Sequence, residues 1–321
     1  MSDRHDILAW SAAGAVTDAR AALRVAGVTP DARAWRHFLD RLLLWSGALS
    51  LAAAVVFFVA YNWTDLGRIA RFAIVDVLVL VAVLGYGRLG ADTAAGKACL
   101  LVASILLGAL LALFGQTYQT GADTWELFAN WAALMAPWVL MGRFAGLWML
   151  WTAVANVAIV LYFQVFPGLF GVLFGTERVL WLLFGFNTLA LLTWEIAATR
   201  LDWLRERWAA CLLATASGIT VTMLAVHAIF DWRASSGLAL PAYGIWLAAV
   251  YRQYRVRQRD LFVLSGACLS IIVVIASLLG NNLVRGRGAA LGYLMTAAAV
   301  IVLGVVLGRW LQQLAREDTT P

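Results

Sequence analysis

Residues 98–115 read Ala-Cys-Leu-Leu-Val-Ala-Ser-Ile-Leu-Leu-Gly-Ala-Leu-Leu-Ala-Leu-Phe-Gly. No position in this run carries a charge, and Ser104 is its only side chain with an oxygen. Such a segment has hydrocarbon as its natural solvent. As an α-helix rising about 1.5 Å per residue it covers roughly 27 Å, close to the roughly 30 Å of a bilayer core. Lys97 precedes it, and Gln116-Thr117-Tyr118-Gln119-Thr120-Gly121-Ala122-Asp123 follows it, so the apolar run is bounded by groups that prefer water.

Runs of the same kind recur outward from this one. They predict spans near 42–61, 69–87, 98–114, 125–141, 144–165, 178–198, 208–229, 238–252, 261–279 and 288–308. The chain is 63% hydrophobic and 13% charged, whereas soluble domains hold roughly 45–50% apolar and about 25% charged residues. The expected fold is therefore an all-α, polytopic transmembrane helix bundle of about ten spans. Two places leave the count between nine and eleven. The span near 238–252 is short, with Pro241 just inside it, and the apolar stretch 167–175 reads either as an interfacial loop or as a re-entrant one. Residues 1–41 read as a cytoplasmic tail of two amphipathic helical stretches, and 309–321 as a second tail. Thr29-Pro30-Asp31 reads as a helix start, with Thr29 as cap and Pro30 at the first position. No short apolar stretch ending in a small-residue cleavage site opens the tail, so the run from Leu42 is expected to be an uncleaved first span.

The net charge of +6 would suit nucleic acid, but its placement suits a membrane. With the N-terminus inside, eighteen of the 24 Lys and Arg fall in the segments expected to be cytoplasmic: the tail, Arg88/Lys97, Arg143, Arg200 to Arg207, Arg252 to Arg259, and Arg309/Arg316. The outer segments hold Arg68, Arg71, Arg178, Arg233, Arg285 and Arg287. This bias follows the positive-inside rule and puts both termini in the cytoplasm. Anionic lipid headgroups, not nucleic acid, are the expected partners of the basic blocks. Among the sixteen Trp, Trp45, Trp63, Trp125, Trp181, Trp208, Trp232 and Trp310 lie near span ends, as interfacial belts require. Trp131, Trp138 and Trp151 lie deeper and are expected to pack between helices.

Ser104, Gly108, Ala112 and Gly115 recur at offsets that keep them on one helical stripe, which lets a neighbouring backbone approach closely. Gly288/Gly292 and Gly304/Gly308 in the last span point to different faces; helix packing is the main reading, and homo-oligomerisation or a membrane-protein partner the minor one. Cys99, Cys211 and Cys268 each lie inside an apolar run, without the spacing of a disulfide framework or a metal knuckle.

Chemistry is sparse. The chain has no GxSxG elbow, HExxH pair or P-loop and no GxGxxG turn after a strand, and so no cofactor, metal or catalytic residue is assigned. Polar residues gather in loops expected to face outward. Tyr61, Asn62, Asp65 and Arg68 link the first two spans, and Gln116, Tyr118 and Asp123 link the third and fourth; together they form a candidate outer polar site, joined by Glu177-Arg178, His227 with Asp231 and Arg233, and Asn281-Asn282 with Arg285 and Arg287. Inside the apolar runs stand Asp76, about two turns into its span and expected to be buried, and Glu195, near the cytoplasmic end and close to Arg200. Carboxylates at such depths are paired or functional.

Phe57-Phe58-Val59-Ala60-Tyr61-Asn62-Trp63-Thr64-Asp65-Leu66 with Arg71-Phe72-Ala73, and Gly115-Gln116-Thr117-Tyr118-Gln119-Thr120-Gly121-Ala122-Asp123 with Leu127-Phe128 and Trp131, resemble a bacterial family of predicted membrane proteins, domain of unknown function 2157. The resemblance covers roughly residues 10–145. It implies a bacterial inner-membrane location and marks the two outer loops as a recurring pattern, without supplying a substrate. Three functional readings follow: a non-catalytic binding or accessory protein of the cell envelope, a secondary transporter or ion- or proton-coupled carrier using Asp76, and a lipid-modifying enzyme using Asp65, Asp123 and His227.

Overall fold

The computed structural model describes residues 2–26, 28–62, 65–119, 121–165, 177–231, 237–283 and 289–317. Trp63, Thr64, Thr120, the 167–175 stretch, Trp232, Arg233, Arg285, Arg287 and Gly288 lie outside them. The described residues form twelve α-helices and no strand. They are α1 (Ser2–Ala12), α2 (Ala19–Val25), α3 (Ala32–Tyr61), α4 (Arg68–Leu89), α5 (Ala94–Tyr118), α6 (Thr124–Gly142), α7 (Ala145–Val165), α8 (Arg178–Ala198), α9 (Arg207–Phe230), α10 (Ala239–Tyr251), α11 (Leu261–Leu283) and α12 (Ala289–Glu317). A helix stands at each of the ten expected spans.

Eight of the ten, α3, α4, α5, α7, α8, α9, α11 and α12, are long and apolar enough to cross a membrane. The other two depart for physical reasons. Helix α6 carries Glu126, Asn130 and an internal Pro137, which dilute its apolar character. Helix α10 has 13 residues, about 20 Å at 1.5 Å per residue, and a six-residue π-helix, Arg252–Arg257, continues it with three arginines. The entry into α3 also differs from expectation. The cap is Asp31, whose carboxylate accepts from the Ala34 N–H at 2.7 Å, so Thr29 and Pro30 precede the helix. Both Thr and Asp cap well; the chain uses the later one, and α3 runs unbroken from the tail into the first span.

The chain divides into two compact units, Met1–Asp123 with Leu127–Leu147, and Thr124–Glu126 with Trp148–Glu317. Each is organised on one helix rich in small residues. In the first unit α3 and α4 pack on α5, where Ala98, Ala103, Ser104 and Gly108 are buried. Val59, Val75, Leu106 and Leu113 form an apolar cluster there. The stripe predicted on α5 receives the Trp131 indole: a Cβ on Gly108 would lie 2.5 Å from that ring, and Trp131 Nε1–H donates to the Ser104 carbonyl at 2.8 Å. In the second unit α8, α10 and α11 pack on α9, which buries Ala209, Ala210, Ala214, Ser217, Gly218, Ala225 and Ala228. Between helices in lipid, close van der Waals approach replaces the hydrophobic effect as the cohesive force, and small residues permit it.

Candidate functional site

The loops of the first unit meet at one point. The Arg68 guanidinium lies over the Tyr118 ring, 5.8 Å from its centroid, and Phe114 and Phe72 flank Tyr118 at 4.8 and 6.0 Å. The first turn of α4 and the last turn of α5 are thus neighbours. The other candidates stand apart from this pair. Tyr61 is 90% exposed, and Asp65 and Gln116 are also exposed. Asn62 is spent locally, donating from Nδ2 to the Phe58 carbonyl at 2.9 Å as the C-cap of α3. Asp123 stands at the N-cap of α6 without a side-chain capping bond.

Asp76 is exposed and has no hydrogen bond or ion pair among the described residues, against the expectation of a buried acid bonded to a neighbouring helix. The reason is angular. The inward face of α4 is set by Phe72, Val75, Val79 and Ala82, and one residue after Val75 the helix has turned by about 100°. Depth was readable from position in the run; direction was not.

The densest polar cluster lies in the second unit, where the last turn of α8, the first turn of α9, the π-helix and the cap of α11 converge. Glu195 Oε1 accepts from the Tyr254 hydroxyl at 2.8 Å and lies 3.7 Å from Arg207 Nη1. Arg207 Nη2 donates to Asp260 Oδ2 in a close ion pair, its Nη1 donates to Gln258 Oε1 at 3.0 Å, and its guanidinium faces the Tyr254 ring at 5.7 Å. The other Asp260 oxygen accepts from the Phe262 and Val263 N–H groups at 3.0 and 3.1 Å, a helix N-cap for α11. Partial burial works to raise the Asp260 pKa, but the Arg207 hydrogen bond and charge and the Val263 N–H outweigh it and hold the carboxyl below its ordinary value of 3.8. Cys211 Sγ sits 3.6 Å from the same carboxylate. A cavity of about 460 Å³ opens beside the cluster, lined in part by Glu195, Arg205, Glu206, Arg207 and Arg259.

Glu195 is therefore held by Tyr254 and Arg207 rather than by Arg200. Arg207, Tyr254 and Asp260 were absent from the expected site. One signal was available: Asp260 immediately precedes an apolar run, where an N-cap belongs, and it falls on the same predicted membrane side as Arg207.

At the opposite end of this unit Glu177, 3% exposed at its side chain, is 3.0 Å from His227 Nδ1. Asn281 Nδ2 donates to the Ile229 carbonyl at 2.7 Å. Within this unit Glu177 is the acid that engages His227. Between the two ends run neutral cross-helix bonds. Asn156 and Asn187 exchange amide bonds at 2.7 and 3.1 Å. The Ser217 hydroxyl lies 2.7 Å from that of Thr188 and accepts from Trp246 Nε1–H at 3.0 Å. Ser270 joins Thr222 at 2.7 Å and Tyr243 at 2.9 Å. Among the described residues no group of three or more His, Cys, Asp or Glu is arranged to hold a metal ion, and all three cysteines are free thiols.

Residues 8–148 match the family model described as predicted membrane protein, DUF2157. The matched stretch covers nearly the whole first unit and, of the second, only Thr124–Glu126 and Trp148. No curated protein and no solved structure matches the chain.

Proposed function

We propose that this multi-pass membrane protein resides in a bacterial inner membrane with both termini in the cytoplasm and acts as a non-catalytic binding or accessory component of the cell envelope. The observation that carries this reading is the pairing of mid-helix polar groups in the second unit: Asn156 with Asn187, Ser217 with Thr188 and Trp246, and Ser270 with Thr222 and Tyr243. The cross-helix bonds there join neutral groups that satisfy one another, as helix-to-helix adhesion requires. A solute or proton path needs groups that exchange partners, and intramembrane ionisable residues are its usual mark. Here Glu195 is tied to Tyr254 and Arg207.

Carrier function is favoured by one observation, the exposed Asp76 with no partner among the described residues. Purified protein in liposomes separates the two readings. Under an imposed pH gradient, with a trapped pH dye, flux is expected to equal that of empty liposomes. Flux above that level, abolished by Asp76→Asn, overturns the accessory reading. Reporter fusions after Arg205 and Arg257 are expected to read cytoplasmic and one after Gln119 external; an external reading at Arg257 overturns the orientation.

A further inference from the structure

Helices α8 and α10 both pack on α9, and a groove of about 880 Å³ runs between them. Its floor is where Thr188 and Trp246 both reach Ser217. Its walls are mostly apolar, with Leu192 and Ile196 from α8 and Ile245 and Ala249 from α10; Glu195 of α8 also lines it, its carboxylate held by the Tyr254 hydroxyl and near Arg207. Along α8 the lining runs from Thr188 to Thr199, about 16 Å at 1.5 Å per residue, half of a roughly 30 Å hydrocarbon core and so the depth of one leaflet.

One end is different in kind. There the π-helix contributes Arg252, Gln253 and Arg257, with Gln258 just beyond. The neighbouring charges are accounted for: Arg255 and Arg259 reach Glu317 at 3.0 and 3.8 Å, and Arg207 holds Asp260 and approaches Glu195. Arg252 and Arg257 are exposed, and neither has a hydrogen-bond or ion-pair partner among the described residues. The groove thus joins an apolar slot one leaflet deep to two unneutralised guanidiniums at its rim. A π-helical turn produces this rim, since its wider winding departs from α-helical spacing, and such turns recur at functional sites.

We propose that this groove is a binding site for one anionic phospholipid of the leaflet on the Arg252/Arg257 side, with an acyl chain between α8 and α10 and the phosphate on Arg252 and Arg257. Guanidinium supplies paired N–H donors that match phosphate oxygens. The inference rests on the binding-protein reading and names its ligand class; liposome flux tests that reading independently, so each can fail alone.

The test is native mass spectrometry of the full, delipidated chain titrated with phosphatidylglycerol or phosphatidylcholine. One phosphatidylglycerol is expected to stay bound at collision energies that strip phosphatidylcholine. Arg252→Ala with Arg257→Ala should weaken its retention about tenfold, the scale of roughly 1.4 kcal/mol. Ile245→Trp, which narrows the slot and keeps both arginines, should weaken it too. The control, Arg88→Ala with Arg309→Ala, removes the same charge elsewhere and should leave retention unchanged. Equal retention of both lipids, an equal loss in the control, or no loss in Ile245→Trp overturns the proposal. Each variant is compared by gel-filtration profile and thermal midpoint, and loss of retention in a variant that matches wild type on both supports it.

Discussion

Trp131 donates its indole N–H to the Ser104 carbonyl at 2.8 Å while its ring covers Gly108, where an added Cβ would come within 2.5 Å. Two separable forces therefore hold α6 to α5. Gly108→Ala must push the ring away, and overpacking of this kind costs about 1–3 kcal/mol. Trp131→Phe removes the hydrogen bond, about 0.5–1.5 kcal/mol, together with the five-membered part of the indole and its packing. The thermal midpoint in detergent should fall in both variants. An unchanged midpoint in Gly108→Ala would contradict the close approach, and one in Trp131→Phe would contradict the hydrogen bond.

Asn156 and Asn187 bond each other across α7 and α8. Each Nδ2 also donates to a carbonyl four residues back in its own helix, at Thr152 and Leu183 respectively, both at 2.8 Å. The local bonds survive loss of the partner, so the coupling should be modest. A double-mutant cycle with Asn156→Leu and Asn187→Leu is expected to give about 0.6 kcal/mol and no more than about 1.7 kcal/mol, as for hydrogen bonds between membrane helices. Stability is read by unfolding in mixed micelles, and strict additivity of the two single losses would contradict the pairing.

The Asp260 carboxyl is held below its ordinary 3.8. A depressed folded pKa stabilises the folded state at every pH above the unfolded value, and this stabilisation is lost as pH falls through the folded value. Asp260→Asn keeps a competent cap and removes the charge. Wild type should therefore melt above the variant by a constant margin from pH 7 to about 5, with the margin shrinking below about 4, the unfolded carboxyl range. A margin that grows on acidification contradicts the ion pair.

Arg68 and Tyr118 tie the start of α4 to the end of α5. Cysteines at these two positions should be joined by a short bifunctional reagent in the inserted protein. Arg68→Ala should lower stability by no more than about 0.5–1 kcal/mol, the worth of an exposed cation–π contact. Failure to crosslink would separate the two loops.

How far the sequence reaches is seen by comparing Leu106 with Asp260. Leu106 belongs to a run whose length alone implies a helix, because a bilayer demands about twenty apolar residues whatever their neighbours. The eight long apolar helices were legible on that ground. Asp260 meets Arg207 across 53 positions, and that meeting depends on α9 and α11 being neighbours, which no local pattern encodes. Asp76 failed for a related reason: apolar residues surround it in sequence, so no amphipathic stripe tells inward from outward. The Thr188, Ser217 and Trp246 contacts were hidden likewise, since single hydroxyls in apolar helices satisfy themselves on their own backbone as readily as they reach across.

That self-satisfaction bears on how the protein is made. Thr222 Oγ1 bonds the Gly218 carbonyl at 2.6 Å, and Asn156 and Asn187 bond carbonyls one turn back at 2.8 Å. Each side chain therefore has an acceptor in its own helix before any neighbour exists. An ionised residue at the centre of an inserting helix costs about 2.5–3.5 kcal/mol on the translocon scale; these neutral, self-bonded groups spare α7 and α9 that penalty. Helices α7 and α9 can leave the ribosome-bound translocon one at a time, wait in lipid as independent cylinders, and exchange or share their hydrogen bonds only when they dock, so their order of release need not match their order of assembly.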